Sequence, residues 1–279
     1  MFLTEIFLGT PLSLLYAIVF GFGVIIGSFL NVYIYRFHTG KSLAGSSHCL
    51  SCATLLKWYE LFPLASYLVL RGRCRTCGCK IPVRYFLVEL ATGLLFVGSA
   101  MIASSLIEML LLWLVMSILV VITVYDLYHF IIPDAFTIAL TIAALGLLVY
   151  GFFGLSVSLD TLFWTVVSAL GGVSFFLLLW LVSRGKWLGF GDVKLAFPLG
   201  LLVGPMLVFS FIVLAFWIGA AISIGILLVA RLNRGQAGLQ LPSRSLTMKS
   251  AVPFAPFLVA SCLLVLFTHI NVLELFSFV

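Results

Sequence analysis

Charge is what this chain has least of. Only 9% of its 279 residues are Asp, Glu, Lys or Arg, against about 25% in a soluble domain, which excludes a water-soluble globule and a charge-rich disordered chain. No Lys or Arg precedes Arg36, so there is no basic n-region and the first apolar stretch is expected to be a spanning helix, not a cleavable signal. Also missing are the short alternating segments of a membrane β-barrel, any internal repeat, and cysteines dispersed as in a secreted disulfide scaffold.

What is present is apolar: 63% hydrophobic and 15% aromatic residues, with a mean hydropathy of +1.29. A helical span needs about 20 apolar residues, and the chain offers such runs at 11–35, 85–103, 106–125, 135–153, 161–183, 206–230 and 251–273. One further apolar piece, 195–203, lies between Asp192 and the Gly204-Pro205 turn. At about 1.5 Å per residue it is too short to cross a core of about 30 Å by itself. Counted as an eighth crossing, it places all 15 Lys and Arg residues on one side, in segments 36–84, 184–194 and 231–249. The opposite side then carries only acids, Glu5, Glu108, Asp160 and Glu274. Basic residues collect in cytoplasmic loops, so the expectation is an all-α polytopic membrane protein with about eight transmembrane helices and both termini outside. The net charge of +6 is thereby explained by topology and anionic lipid headgroups, and no nucleic-acid partner is expected.

Five of the six cysteines sit in the one sizeable loop, as Cys49-x2-Cys52, then 21 residues, then Cys74-x2-Cys77 and Cys79. Cytosolic thiols stay reduced, and two such knuckles can offer four thiolates to one tetrahedral zinc. A segment this small buries little core, which a structural metal remedies. Cys79 reads as spare, His48 as a neighbour of the first knuckle, and Cys262 as a small buried hydrophobe.

Carboxylates in or near spanning helices are functional hypotheses by default. Asp126, Asp134 and Asp192 lie near the cytoplasmic boundary. Asp192 closes Gly189-Phe-Gly191-Asp192, where glycines permit close backbone approach, and the topology returns it to the face that carries Asp126. Two carboxylates brought together do not both ionise easily, so the pair can share a proton and a water, one acting as general base and the other as general acid in peptide hydrolysis. Against this stand helix capping, which suits Asp134, and a surface charge beside Lys194 for Asp192. His129 reads as an interfacial side chain. A thiol oxidoreductase working through the Cys-x2-Cys pairs, and a transporter or assembly scaffold with intramembrane Asp sites, are the rival functions.

Taken together, these residues resemble the type IV prepilin leader peptidase/N-methyltransferase family of membrane aspartic peptidases. The resemblance runs through Gly27-Ser-Phe-Leu-Asn31-Val-Tyr-Ile-Tyr-Arg36, the four knuckle cysteines, Trp58-Tyr-Glu60-Leu-Phe-Pro63, Arg84-Tyr-Phe-Leu-Val-Glu89, Asp126 to Asp134, Gly189 to Lys194 and Pro253-Phe-Ala-Pro256-Phe. It implies cleavage of prepilin or pseudopilin leaders at the cytoplasmic face of the bacterial inner membrane, with Asp126 and Asp192 as the dyad. It also implies methylation of the new N-terminal residue, usually Phe, by S-adenosylmethionine. Leu61 stands where the family often has Asn, Leu50 where Pro is common and Ala255 where Gly is usual. The expected organisation is a first helix at 1–35, a zinc-binding methyltransferase loop at 36–84 with zinc on Cys49, Cys52, Cys74 and Cys77, and peptidase helices at 85–279. Glu60 in the loop reads either as a methyl-transfer residue, taking the proton of the new α-amine, or as an ion-pair partner of a nearby Arg at the headgroups.

Overall fold

Apolar runs of this length satisfy their backbone only as helices when water is absent, and helices are what form. The computed structural model describes residues 11–37, 42, 45–234 and 252–277; Glu5, Lys41, Arg244 and Lys249 of the charge argument lie outside the described residues. The chain divides into two compact units, 1–124 and 125–279. Among the described residues there is no β-strand, only isolated bridges between His48 and Leu55 and between Arg73 and Lys80.

The first unit contains α1 (Leu12–Arg36), a loop with a 3-10 turn (Trp58–Glu60) and the short α2 (Ala65–Val69), then α3 (Arg84–Ile102) and most of α4 (Leu106–His129). α1 and α3 lie against each other because both are carved down to glycine where they cross. A Cβ on Gly23 would stand 2.9 Å from the Cα of Gly93, and one on Gly27 would stand 2.8 Å from the Cα of Glu89. This is the small-residue packing that draws helices together where lipid removes the hydrophobic drive.

The second unit holds the end of α4, then α5 (Asp134–Gly154), α6 (Leu159–Ser183), α7 (Phe190–Val203), α8 (Val208–Arg234), α9 (Ala255–Thr268) and α10 (Val272–Ser277). Its centre is α7, which packs against α5, α6, α8 and α9. Nine of its 14 residues are buried, and its apolar side chains face all round, as in a helix with no solvent face. Gly200 meets Ala169 of α6, where a Cβ would come 3.0 Å from the Ala169 Cα.

Among the described residues six helices, α1, α3, α4, α5, α6 and α8, are long and apolar enough to cross a membrane. Their outward faces expose Ile18, Phe22, Leu94, Ile142, Phe153 and Leu178, a surface that suits lipid and not water. The expected 251–273 run forms only the 14-residue α9, because Pro253 and Pro256 confine its start and His269 ends it in a left-handed turn with φ 52°. The 195–203 piece is instead longer than expected. Gly189 serves as the N-cap, and Phe190, Gly191 and Asp192 join the helix.

Candidate active sites

Asp126 lies in the last turn of α4 and Asp192 is the third residue of α7. Both are buried, at 5% and 7% relative exposure, and the fold brings them close enough for their charges to interact. Two local structures achieve this. Phe130 takes a left-handed φ of 55° and donates its N–H to the Asp126 carbonyl at 2.8 Å, which ends α4 and turns the chain toward α5. Ile132 in that turn then packs on Gly191, where a Cβ would sit 3.3 Å from the Ile132 Cβ, so a larger residue would lift the turn off the start of α7.

The Gly189 N–H donates to Asp192 Oδ2 at 3.2 Å, folding this carboxylate back over the helix N-terminus. The Asp126 carboxylate accepts the backbone N–H of Ala255 at the start of α9. Its Oδ2 is buried and, among the described residues, has no hydrogen-bond partner. A buried acceptor without a donor is costly, and here it lies within charge range of a second acid.

Asp134 is not the side-chain cap that its sequence context suggests. It is the first helical residue of α5, with Pro133 as N-cap and no cap hydrogen bond. Its Oδ1 accepts from Lys194 Nζ at 2.7 Å, with the acid exposed. This pairing also removes the reading of Asp192 as a surface charge, since the acid beside Lys194 is Asp134. His129 is exposed, its ring 4.4 Å from that of Tyr125.

In the first unit the four thiols of Cys49, Cys52, Cys74 and Cys77 lie within 4.8 Å of one another. Tetrahedral bonds of about 2.3 Å require sulfurs about 3.8 Å apart, and Cys49 and Cys77 Sγ stand at 3.9 Å. The two knuckles repeat one hydrogen-bond pattern. Cys49 N–H reaches the Thr54 carbonyl and Ala53 N–H returns to the Cys49 carbonyl; Cys74 N–H reaches the Cys79 carbonyl and Gly78 N–H returns to the Cys74 carbonyl. The residue four places after the first cysteine is left-handed in both, Ala53 at φ 56° and Gly78 at φ 70°. Hydrogen bonding to Thr54 holds the Cys52 thiol down at about 6, favouring the thiolate that binds metal. The cluster can therefore hold a metal ion. Cys79, read as spare, has its Sγ 3.5 Å from that of Cys49, on the flank of the cluster.

Beside the knuckles, also within the first unit, α1, the loop and α3 enclose a cavity of about 690 Å³, with Ser28, Asn31, Tyr35, Glu60, Tyr85 and Glu89 in its wall. This is the size range of small-molecule sites. Glu60 is half-buried and accepts the Lys57 N–H at 2.8 Å through Oε2, so it closes the 3-10 turn while lining the cavity. Glu89, at 8% exposure, was not singled out by the sequence. The available signal was a carboxylate in the second turn of an apolar helix.

Sequence comparison decides the family. Residues 21–103 match the bacterial peptidase A24 N-terminal domain and residues 113–224 the type IV leader peptidase family. A protein of Aeromonas hydrophila, named prepilin leader peptidase/N-methyltransferase, is 31% identical over 92% of this chain and 91% of its own length. The chain belongs to the type IV leader peptidase family. A Myxococcus xanthus protein of the same name is 35% identical over 78% of this chain, which spans 64% of that relative's length. One of Klebsiella pneumoniae, also so named, is 35% identical over 65% of this chain and 82% of its own. No solved structure matches. As a member of this family the chain is an enzyme, a multi-pass peptidase of the inner membrane; the first match lies inside the first compact unit, and the second begins there and runs on into the second.

Proposed function

We propose that the chain cleaves the leader of prepilins or pseudopilins with Asp126 and Asp192 at the cytoplasmic membrane face, and then N-methylates the residue it exposes. The observation that carries this is the pair of buried carboxylates in mutual range, one with an unpartnered oxygen. In the cleavage one carboxylate, ionised, takes a proton from a water placed between the two. The other, protonated, hydrogen-bonds the scissile carbonyl as the water oxygen attacks it. Collapse of the tetrahedral adduct returns a proton to the leaving amine, and no covalent enzyme intermediate forms. The substrate is a single-pass protein whose basic leader stays in the cytosol while its apolar segment lies in the membrane, as pilus and type II secretion subunits require.

The loop at 36–84 acts as a unit built on zinc held by Cys49, Cys52, Cys74 and Cys77. Four sulfurs converging on one point suit a structural metal better than two separate dithiol redox pairs. S-adenosylmethionine fits the adjoining cavity by volume and by donor set, since carboxylates and tyrosine faces suit a sulfonium and an adenosine. It would supply an electrophilic methyl group when bound, and Glu60 lines the same cavity.

Asp126→Asn and Asp192→Asn, each tested with a full-length prepilin in detergent-solubilised enzyme, should lose leader cleavage by a factor of about 100 to 10,000 while inserting normally. Asp134→Asn should stay near full activity, losing only an exposed ion pair worth at most about 1 kcal/mol. A dead Asp134→Asn beside an active Asp126→Asn would move the dyad.

A further inference from the structure

Two carboxylates face the cavity of the first unit, and they are held differently. Glu60 sits in the loop and spends one oxygen closing its own 3-10 turn. Glu89 sits on α3, buried, and its Oε2 accepts the Leu64 N–H at 2.8 Å across 25 residues of sequence. That donor is aimed by strain. Leu64 has φ 57° and ψ −52°, and Ala65 N–H closes on the Pro63 carbonyl at 2.6 Å, a γ-turn of the rare hand. Such strain persists where the surrounding structure fixes it, and it gathers at functional sites. The Ser28 hydroxyl also hydrogen-bonds Glu89, and buried Asn31, one turn further along α1, donates to the Tyr85 carbonyl at 3.0 Å. Gly27 brings the α1 backbone against the Glu89 Cα. A carboxylate buried in an apolar helix, held by a strained loop and a glycine crossing, and open to a cavity of small-molecule size, has a polar ligand to meet.

We propose that Glu89, rather than Glu60, is the catalytic residue that binds the cleaved substrate's α-ammonium group and takes its proton. This rests on the methyl-transfer reading above. The ammonium donates to Glu89 and gives it one proton. The freed nitrogen lone pair forms an N–C bond to the methyl group of S-adenosylmethionine while the C–S bond breaks and its electron pair stays on sulfur. Glu60 has one oxygen committed to the Lys57 N–H.

The test uses full-length enzyme and two synthetic peptides, an apolar segment beginning with a free-amine Phe and its Nα-acetylated twin. Without S-adenosylmethionine, the unsubstituted protein should bind the free amine about tenfold more tightly than the acetylated peptide. Glu89→Gln, whose amide oxygen still accepts the Leu64 N–H, should lose that preference. Its methyl incorporation from labelled S-adenosylmethionine should fall about 100-fold, with zinc content and leader cleavage intact. Glu60→Gln should keep the preference. Glu89→Asp should recover part of the incorporation, which a purely structural hydrogen-bond acceptor would not need. Retained amine preference in Glu89→Gln, or loss of zinc and cleavage together with methylation, overturns the assignment to Glu89 alone. No methyl incorporation by the unsubstituted protein overturns the methyl-transfer reading itself.

Discussion

Ala53 and Gly78 occupy equivalent places in the two knuckles, yet only one is a glycine. A left-handed alanine carries a penalty of about 1 kcal/mol that glycine does not, and Ala53 at φ 56° bears it. Ala53→Gly should therefore stabilise the loop, seen as slower metal release to a chelator; faster release would show that the turn is not strained. The cysteine spacing alone announced the cluster, since two Cys-x2-Cys pairs match a metal-ligand spacing. It could not announce the left-handed partner, because no residue type marks that position in the first knuckle. As proposed site residues, Asp192 stood out through its glycines and Asp126 through its place at the end of an apolar run, and both are buried. Glu89 did not stand out, because it sits among Arg84-Tyr-Phe-Leu-Val-Glu89 as one acid in a helix start, and only the fold shows its carboxylate meeting Leu64 from 25 residues away.

Among the elements, the crossing of α1 and α3 is the one that substitution can break most directly. A side chain at Gly27 would press on the backbone at Glu89, so the helices must separate. Gly27→Leu should cost about 1 to 3 kcal/mol, the usual penalty of overpacking, lowering the thermal midpoint and impairing methyl transfer before leader cleavage. Unchanged stability would mean that the two helices slide freely. The spans themselves were legible, because long apolar runs leave helices as the sole ordered form in lipid. The extents of α7 and α9 were not. Pro253 and Pro256 shorten one, and the buried surroundings of the other allow polar Asp192 to be counted into a helix whose apolar part is nine residues long.

For the molecule as a whole, the two proposed activities fall in different compact units, 1–124 and 125–279. Removing the metal should accordingly separate them. Chelator-treated enzyme, or Cys74→Ser, should retain leader cleavage while methyl incorporation into precleaved peptide collapses; mass spectrometry of the product N-terminus reads both. Equal loss of the two would show that the loop unit also supports the dyad.

The cysteine cluster also has a place in time. Its first two thiols, Cys49 and Cys52, leave the ribosome before Cys74 and Cys77, and α3 follows both. With zinc bound as proposed, a half-site of two sulfurs would hold the ion weakly, so the loop between the knuckles would close only after the second pair has emerged. In a cell short of zinc, chains would be anchored by their helices but would carry an open stretch between residues 52 and 74, within reach of proteases on that side. Zinc supply would then act on the amount of intact enzyme, and through it on how many subunits are processed, without touching either carboxylate of the dyad.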